Sequence, residues 1–382
     1  VADHDATFAV ETFADYRRVE RPAELLKPGN RVWLLPPEEL IGADGPRVLA
    51  GEPQKQIADR VRDVQLRVAK VDAALCLGRG IIIDVNSGRL LPDYFRKAGV
   101  GLAPAATATI GELPFAEPGV TDWRDILGSA ALLEVDRAYY GASAHNGFGH
   151  ILLEAMSRFW AYDAMAEAGV RSVVTNKAGN GHYASWLEAL GADRRDVHPI
   201  RRAPILVRDL VVPSQSYILD RGSSERYGRV AQRMGVASGA EALSGARVYV
   251  SRRLAGKRRL IDEEAVEALF ASQGFTIFRP EEHPVAEQTR VAAGASFIAG
   301  PVGSALYSSV FAGRGATKLV LAPDHFFTPN DSALAKLCGH ELWHVFGRSS
   351  ARSEAEALHA DWQLDHGTLE RALERLERAD AG

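Results

Sequence analysis

GASFIAGPVGSALYSSVF, residues 294–311, decides the fold class. Ala295 to Ala299 reads as a strand, Gly300 to Gly303 as a turn, and Ala305 to Phe311 as a helix. A strand that runs through a short Gly-rich turn into a helix is the building unit of a parallel α/β sheet. The same turn presents backbone N–H groups and the positive end of a helix to an anion, which makes Gly300, Gly303 and Ser304 candidate phosphate contacts. A Gly-rich turn of this kind also serves as a plain connection in many α/β domains, so the turn alone leaves both readings open.

Alternation continues on either side. Upstream, Arg247 to Ser251 is a strand and Asp262 to Gln273 a helix whose acidic first turn suits the positive helix end, with Gly274 closing it. Phe275 to Phe278 is a strand, Val285 to Ala293 a helix, and downstream Lys318 to Leu321 another strand. A second block precedes it. There the sequence predicts helices over Phe148–Met165, His182–Leu190 and Glu225–Met234, and strands over Val170–Thr175 and Leu206–Val212. The early chain is less regular: Arg31–Leu35 and Gly80–Val85 read as strands, and Gln54–Val71 has helical spacing. The tail from Ser353 to Ala379 is helical, with Leu369, Leu373 and Leu376 on one stripe. The expectation is an α/β chain of two Rossmann-like domains, residues 1–212 and 213–345, followed by a helical tail, 346–382.

Composition narrows the function classes. With 46% hydrophobic and 25% charged residues among 382, the chain reads as a globular protein of two ordinary domains. A net charge of -4 offers no global attraction to nucleic acid or to an anionic membrane. No run of about 18 apolar residues predicts a transmembrane segment. The start, VADHDATFAV, has no basic stretch leading into an apolar core, so no secretory leader is expected. Two cysteines, Cys76 and Cys338, exclude a disulfide framework and fit a reduced, cytoplasmic compartment. Richness in Ala, Arg and Gly points toward a bacterial source.

Three segments bear chemistry. In YVSRRLAGKRRLIDEEAV, residues 249–266, the cations Arg252, Arg253, Lys257, Arg258 and Arg259 directly follow a strand. Loops leaving the carboxyl ends of parallel strands are where α/β sheets bind ligands, and guanidinium groups suit a diphosphate. In PEEHPVAEQ, residues 280–288, Glu287 and Gln288 open a helix, where they can stabilise its dipole or bind sugar hydroxyls. In HNGFGHILLEAMSRFW, residues 145–160, His150 enters a helix and Glu154 lies one turn on, sharing its face.

In order and spacing these segments resemble glycosyltransferase family 61, closely over residues 247–311 and again over 145–160. The resemblance implies a GT-B-like fold, two Rossmann-like domains facing a cleft, and inverting transfer from a nucleotide-sugar donor to a glycan or other hydroxyl acceptor. By the same resemblance Arg252, Arg253, Lys257, Arg259, Glu287, Gln288, Gly300, Gly303 and Ser304 would lie at the donor, and His150 with Glu154 would supply the general base. The nucleotide sugar is then a substrate, and no cofactor is expected. No metal is expected either, since no Asp-x-Asp follows a strand in the donor half. Surface-polysaccharide synthesis is the implied setting. One departure is Val302, which stands where the family usually has His. It keeps a non-catalytic sugar- or nucleotide-binding relative as an alternative.

HELWHVFG, residues 340–347, spells a competing motif. On a helix, His340 and His344 would share a face and bind zinc with Glu341 as base, as in a metallopeptidase. Against this, Ser350 stands where a third ligand is usual, and Gly339 weakens a helix there. A dinucleotide-dependent oxidoreductase is disfavoured because no G-x-G-x-x-G opens a βαβ unit with an acidic residue about 20 positions on.

Overall fold

The computed structural model describes residues 32–34, 47–53, 64, 66–77, 81–86, 89–90, 132–142, 147–200, 204–220, 222–239 and 245–380. The chain forms two compact units, one of residues 1–37 and 64–218, the other of residues 38–63 and 219–382.

In the first unit the described strands are β1 (Val32–Leu34), β3 (Arg67–Leu77), β4 (Ile81–Asp84), β5 (Arg89–Leu90), β6 (Leu133–Ala142), β7 (Val173–Thr175), β8 (Val197–Pro199) and β9 (Ile205–Pro213), while β2 (Arg47–Ala50) belongs to the second unit. They form one sheet in the order β5-β4-β3-β9-β6-β7-β8, with β1 on β3. Strands β9, β6, β7 and β8 are mutually parallel, as the alternating block predicts. The other half of the sheet is antiparallel, which corrects the expectation of a Rossmann-like unit throughout. Only Gly78 to Gly80 separate β3 from β4, too few residues for a parallel crossover, so the two strands pair as a hairpin. Of the helix expected over 54–71, residues 67–71 are the start of β3 instead, and residues 54–63 lie outside the described residues.

A helical run, α1 (residues 148–167), crosses the parallel half. It buries Ile151, Leu152, Leu153, Met156 and Phe159 almost completely, and the Phe159 and Tyr162 rings meet Tyr139 of β6 at 5.6 and 5.3 Å. Ile151–Ala155 is wound as a π-helix and Met156–Ala161 as a 3-10 helix. Backbone carbonyls of this irregular run are taken up by the segment after β9, Glu154 O by Gln215 Nε2 at 3.3 Å and Ser157 O by the Ser216 N–H at 3.1 Å, while in the other direction the side chains of Trp160 and Arg158 donate to Ser214 O, at 2.8 Å, and to Pro213 O. Helix α2 (Gly181–Ala189) follows β7, capped by Asn180 and stopped at the left-handed Gly191.

The second unit is doubly wound. Its parallel strands are β10 (Ala246–Val250), β11 (Thr276–Phe278), β12 (Ala295–Pro301), β13 (Thr317–Pro323) and β14 (Glu341–Ser349), in the order β11-β10-β12-β13-β14. Strand β2 pairs parallel to the outer side of β14, and β15 (Trp362–Gln363) pairs antiparallel to its end. One face is covered by α4 (Glu263–Ser272) and α7 (His366–Asp380), whose Val266, Phe270, Leu369 and Leu373 pack with Tyr249 and Val345 of the sheet. On the other, α3 (Glu225–Val236), α5 (Val285–Gly294) and α6 (Pro329–Cys338) surround the 3-10 helix Ser304–Phe311. Two parts of the chain assigned elsewhere by sequence therefore pack in this unit: β2, residues 47–50, and the tail, whose leucine stripe is core. Among the described residues, no helix is long and apolar enough to cross a membrane.

Candidate functional site

Strand order in the second unit reverses at β10: β11 lies on one side and β12 on the other. In open α/β sheets the crevice outside the carboxyl ends of strands at such a point is where ligands bind. Here the two loops that meet there are the basic segment after β10 and the Gly-rich turn after β12.

Their contacts are specific. Arg252 Nη1 donates to Val302 O at 2.8 Å, and Arg258 Nη2 approaches the same oxygen at 3.5 Å. Arg252 lies across Gly303 so closely that a Cβ at that position would collide with its guanidinium. Arg258 is only 9% exposed. Its guanidinium stacks 4.1 Å over the Phe326 ring and donates to Leu358 O at 3.3 Å. Its backbone is left-handed, with φ 53°, a conformation that costs a side-chain-bearing residue about 1 kcal/mol. Among the described residues neither guanidinium has a carboxylate within ion-pairing distance, and the Nε of each is buried with no partner. Burial, and after it the neighbouring Arg252 charge, lowers the Arg258 pKa to about 10. Burial lowers that of Arg252 as well. Two cations are thus held together, largely out of water, and among the described residues no carboxylate is ion-paired to either, Glu263 and Glu281 acting on Arg252 through their charge alone. A bound anion relieves both the desolvation and the repulsion.

The surroundings are rigid. Glu263 at the start of α4 accepts from the Arg252 backbone N–H at 2.7 Å and from Tyr249 Oη at 3.2 Å. Ser251 Oγ donates to Glu267 at 2.6 Å. Val302 N–H donates to Leu321 O at 2.8 Å, fixing the turn to β13, and the Val302 side chain is buried. Val302 therefore enters the site as a carbonyl rather than as a side chain. Gly300 passes close to Val250 O, where a side chain would clash, and Ser304 is exposed at the start of the 3-10 helix.

The structure thus brings Arg252, Gly300, Gly303 and Ser304 together and adds Arg258. The other candidates sit differently. Arg259 is held by Asp361 through two side-chain bonds, of 2.6 and 3.1 Å. Arg253 pairs with Glu264 and Glu267, and Glu287 with Arg290 at 2.6 Å. The Lys257 side chain is exposed, and its carbonyl lies 3.5 Å from Arg252 Nη2. Gln288 donates to the carbonyls of Pro280 and His283, at 2.8 and 2.9 Å.

In the first unit, His150 follows β6 and so stands at the carboxyl end of that unit's parallel strands. Its Nδ1 lies 2.8 Å from Glu154 Oε2. Glu154 is buried in the π-helical turn, a winding often found at functional sites, while the His150 side chain keeps 30% exposure. With Glu154 ionised, Nδ1 donates and Nε2 becomes the basic nitrogen, the arrangement by which an acid orients a histidine base.

HELWH is not a helix. Gly339, left-handed at φ 67°, ends α6, and β14 begins at Glu341. Four residues of strand separate His340 from His344 by about 13 Å, too far to share a zinc ion. His340 Nε2 meets Ala312 O at 3.3 Å, His344 is buried against Phe346, and Glu341 is exposed. Among the described residues no three His, Cys, Asp or Glu side chains are grouped as metal ligands. The metallopeptidase alternative loses its geometry.

A search of curated proteins gives no match. Residues 148–320, from the helical run that carries His150 through the Gly303 turn and into β13, match the model of one protein family, Glycosyltransferase 61, and that match supports glycosyltransferase activity.

Proposed function

We propose that the chain transfers a sugar, with inversion, from a nucleotide-sugar donor to a hydroxyl of a glycan or similar acceptor, and that the donor diphosphate is held by Arg252, Arg258 and the 300–304 turn. The observation that carries the reading is the pair of guanidinium groups at the strand-order reversal, Arg258 buried and Arg252 half-buried, with no ion-paired carboxylate among the described residues. In the displacement the acceptor oxygen attacks C1 of the sugar as the bond from C1 to the diphosphate oxygen breaks. The leaving diphosphate gains charge, and preorganised arginines stabilise that charge without needing to reorganise. This is why transfer is expected to proceed without a divalent ion. The exposed Lys257 then serves to attract the anionic donor rather than to grip it, while Arg253 and Arg259 are taken up by their own carboxylates.

His150 takes the proton of the acceptor hydroxyl, with Glu154 holding its ring. The first unit is the acceptor side and the second the donor side of a GT-B-type enzyme. A bacterial, cytoplasmic enzyme of surface-polysaccharide synthesis fits the composition and the resemblance.

Calorimetric titration with a panel of nucleoside diphosphates tests the donor site. At least one should bind, and Arg252→Ala or Arg258→Ala should each weaken it by about 1.5–3 kcal/mol, the range for hydrogen bonds to charged groups. Unchanged affinity in both variants contradicts the assignment.

A further inference from the structure

Next to β10 in the sheet, at the carboxyl end of β11, stands an aromatic stack outside the proposed diphosphate site. Phe278, the last residue of β11, is buried, and the imidazole of His283 lies stacked on it, with ring centroids 4.6 Å apart and planes 18° from parallel. His283 is itself exposed, so its imidazole forms the outer layer of this stack. The segment between them is held in place. Gln288 spends both amide hydrogens on the carbonyls of Pro280 and His283, and Glu282 and His283 N–H groups bond back to Arg279 and Pro280. Arg279 in turn is anchored to Glu267 at 2.6 Å.

The stack is next to the anion site by strand register. Phe278 pairs with Val250, and Ser251 N–H donates to Phe278 O at 2.8 Å, so Arg252 begins one residue from that bond. Glu281 is close enough for its charge to act on the Arg252 guanidinium. A ligand whose diphosphate lies on Arg252 and Arg258 therefore has an aromatic surface within reach in the direction of β11.

We infer that His283, backed by Phe278 and clamped by Gln288, is the stacking platform for the base of a nucleoside diphosphate. This rests on the donor reading above. Every nucleobase has a π-face, so the platform explains affinity for the nucleoside without fixing which base is preferred. Gln288 is here a positioning residue: it sets the height of the His283 ring and touches the ligand only through it.

The experiment compares ADP, GDP, UDP and CDP with inorganic pyrophosphate, by calorimetry on the full chain and on His283→Ala, His283→Phe and Arg252→Ala. One or more of the nucleotides should bind the unmodified chain more tightly than pyrophosphate. His283→Ala should weaken that nucleotide by roughly 5- to 100-fold, the worth of one stacked base, and leave pyrophosphate unchanged. His283→Phe, which keeps a flat face, should recover most of the loss, and Arg252→Ala should weaken both ligands. Equal nucleotide affinity in His283→Ala, or no gain of any nucleotide over pyrophosphate, overturns the platform while leaving the diphosphate site standing. If neither nucleotides nor pyrophosphate bind, the diphosphate site itself fails and the platform with it.

Discussion

Arg252, Arg258 and Arg259 are the same residue type within eight positions, yet they have different fates. Arg259 is neutralised by Asp361, a partner 102 residues away, while Arg258 is turned inward by a left-handed backbone and buried on Phe326. Nothing local marks this difference, because a loop has no periodicity to assign its side chains to a face. The resemblance implies Arg259 at the donor, and the proposed site uses Arg258 instead. His150 is the opposite case. Its spacing to Glu154 was readable as one helical turn, and the two side chains meet at 2.8 Å. If His150 is the base, His150→Ala should lower sugar-transfer turnover by about 10²–10⁴-fold while nucleoside diphosphate affinity and melting temperature stay near those of the unmodified chain. Near-normal turnover, or a loss matched by unfolding, would count against it.

At the scale of elements, β14 shows how a short motif misleads when read without its neighbours. HELWH fits a helix by spacing, but Gly339 ends α6 just before it, and pairing with β13 and β2 makes the segment a strand. Burial there has a consequence for stability. His344 is enclosed, neither ring nitrogen has a hydrogen-bond partner among the described residues, and burial lowers its pKa to about 4 against the opposing charge of Asp331, with a lesser lowering by Lys318. A histidine whose pKa is lowered on folding is held neutral by the fold. Its stability is present above the unfolded value, about 6.5, and is lost as pH falls toward about 4. Between about pH 7 and about pH 5 this one group should cost on the order of 2 kcal/mol. His340, also lowered to about 4 by burial, acts in the same direction. His344→Phe should therefore show a smaller fall in melting temperature over that range than the unmodified chain, and an equal fall would show that His344 does not titrate with unfolding. Strand β3 and helix α7 carry a related lesson. The apolar spacing before residue 71 mimicked a helix, and the tail looked separable, because the partners that settle each, β9 for the strand and the sheet core for Leu369 and Leu373, are distant in sequence.

For the whole molecule, the second unit was far more legible than the first. Its strands and helices alternate with short connections, so local pattern and parallel topology agree, and the strand-to-helix turn could be located from GPVGS alone. The first unit mixes parallel strands with an antiparallel set whose pairing depends on contacts between β3 and β9, which are 129 to 145 residues apart, and no local pattern encodes that. Most of the donor-site candidates were visible as residue types, and which of them converge was not. The central claim is that the Arg252 and Arg258 pair holds a donor that is cleaved at its sugar. The most direct measurement is release of nucleoside diphosphate from a panel of nucleotide sugars, in the presence of a chelator, by the unmodified chain and by an Arg252→Ala, Arg258→Ala double variant. At least one donor should turn over in the unmodified chain with chelator present, and the double variant, still folded by its melting curve, should lose that turnover. Undiminished release by the double variant, or release that vanishes in chelator and returns with manganese, would contradict the account.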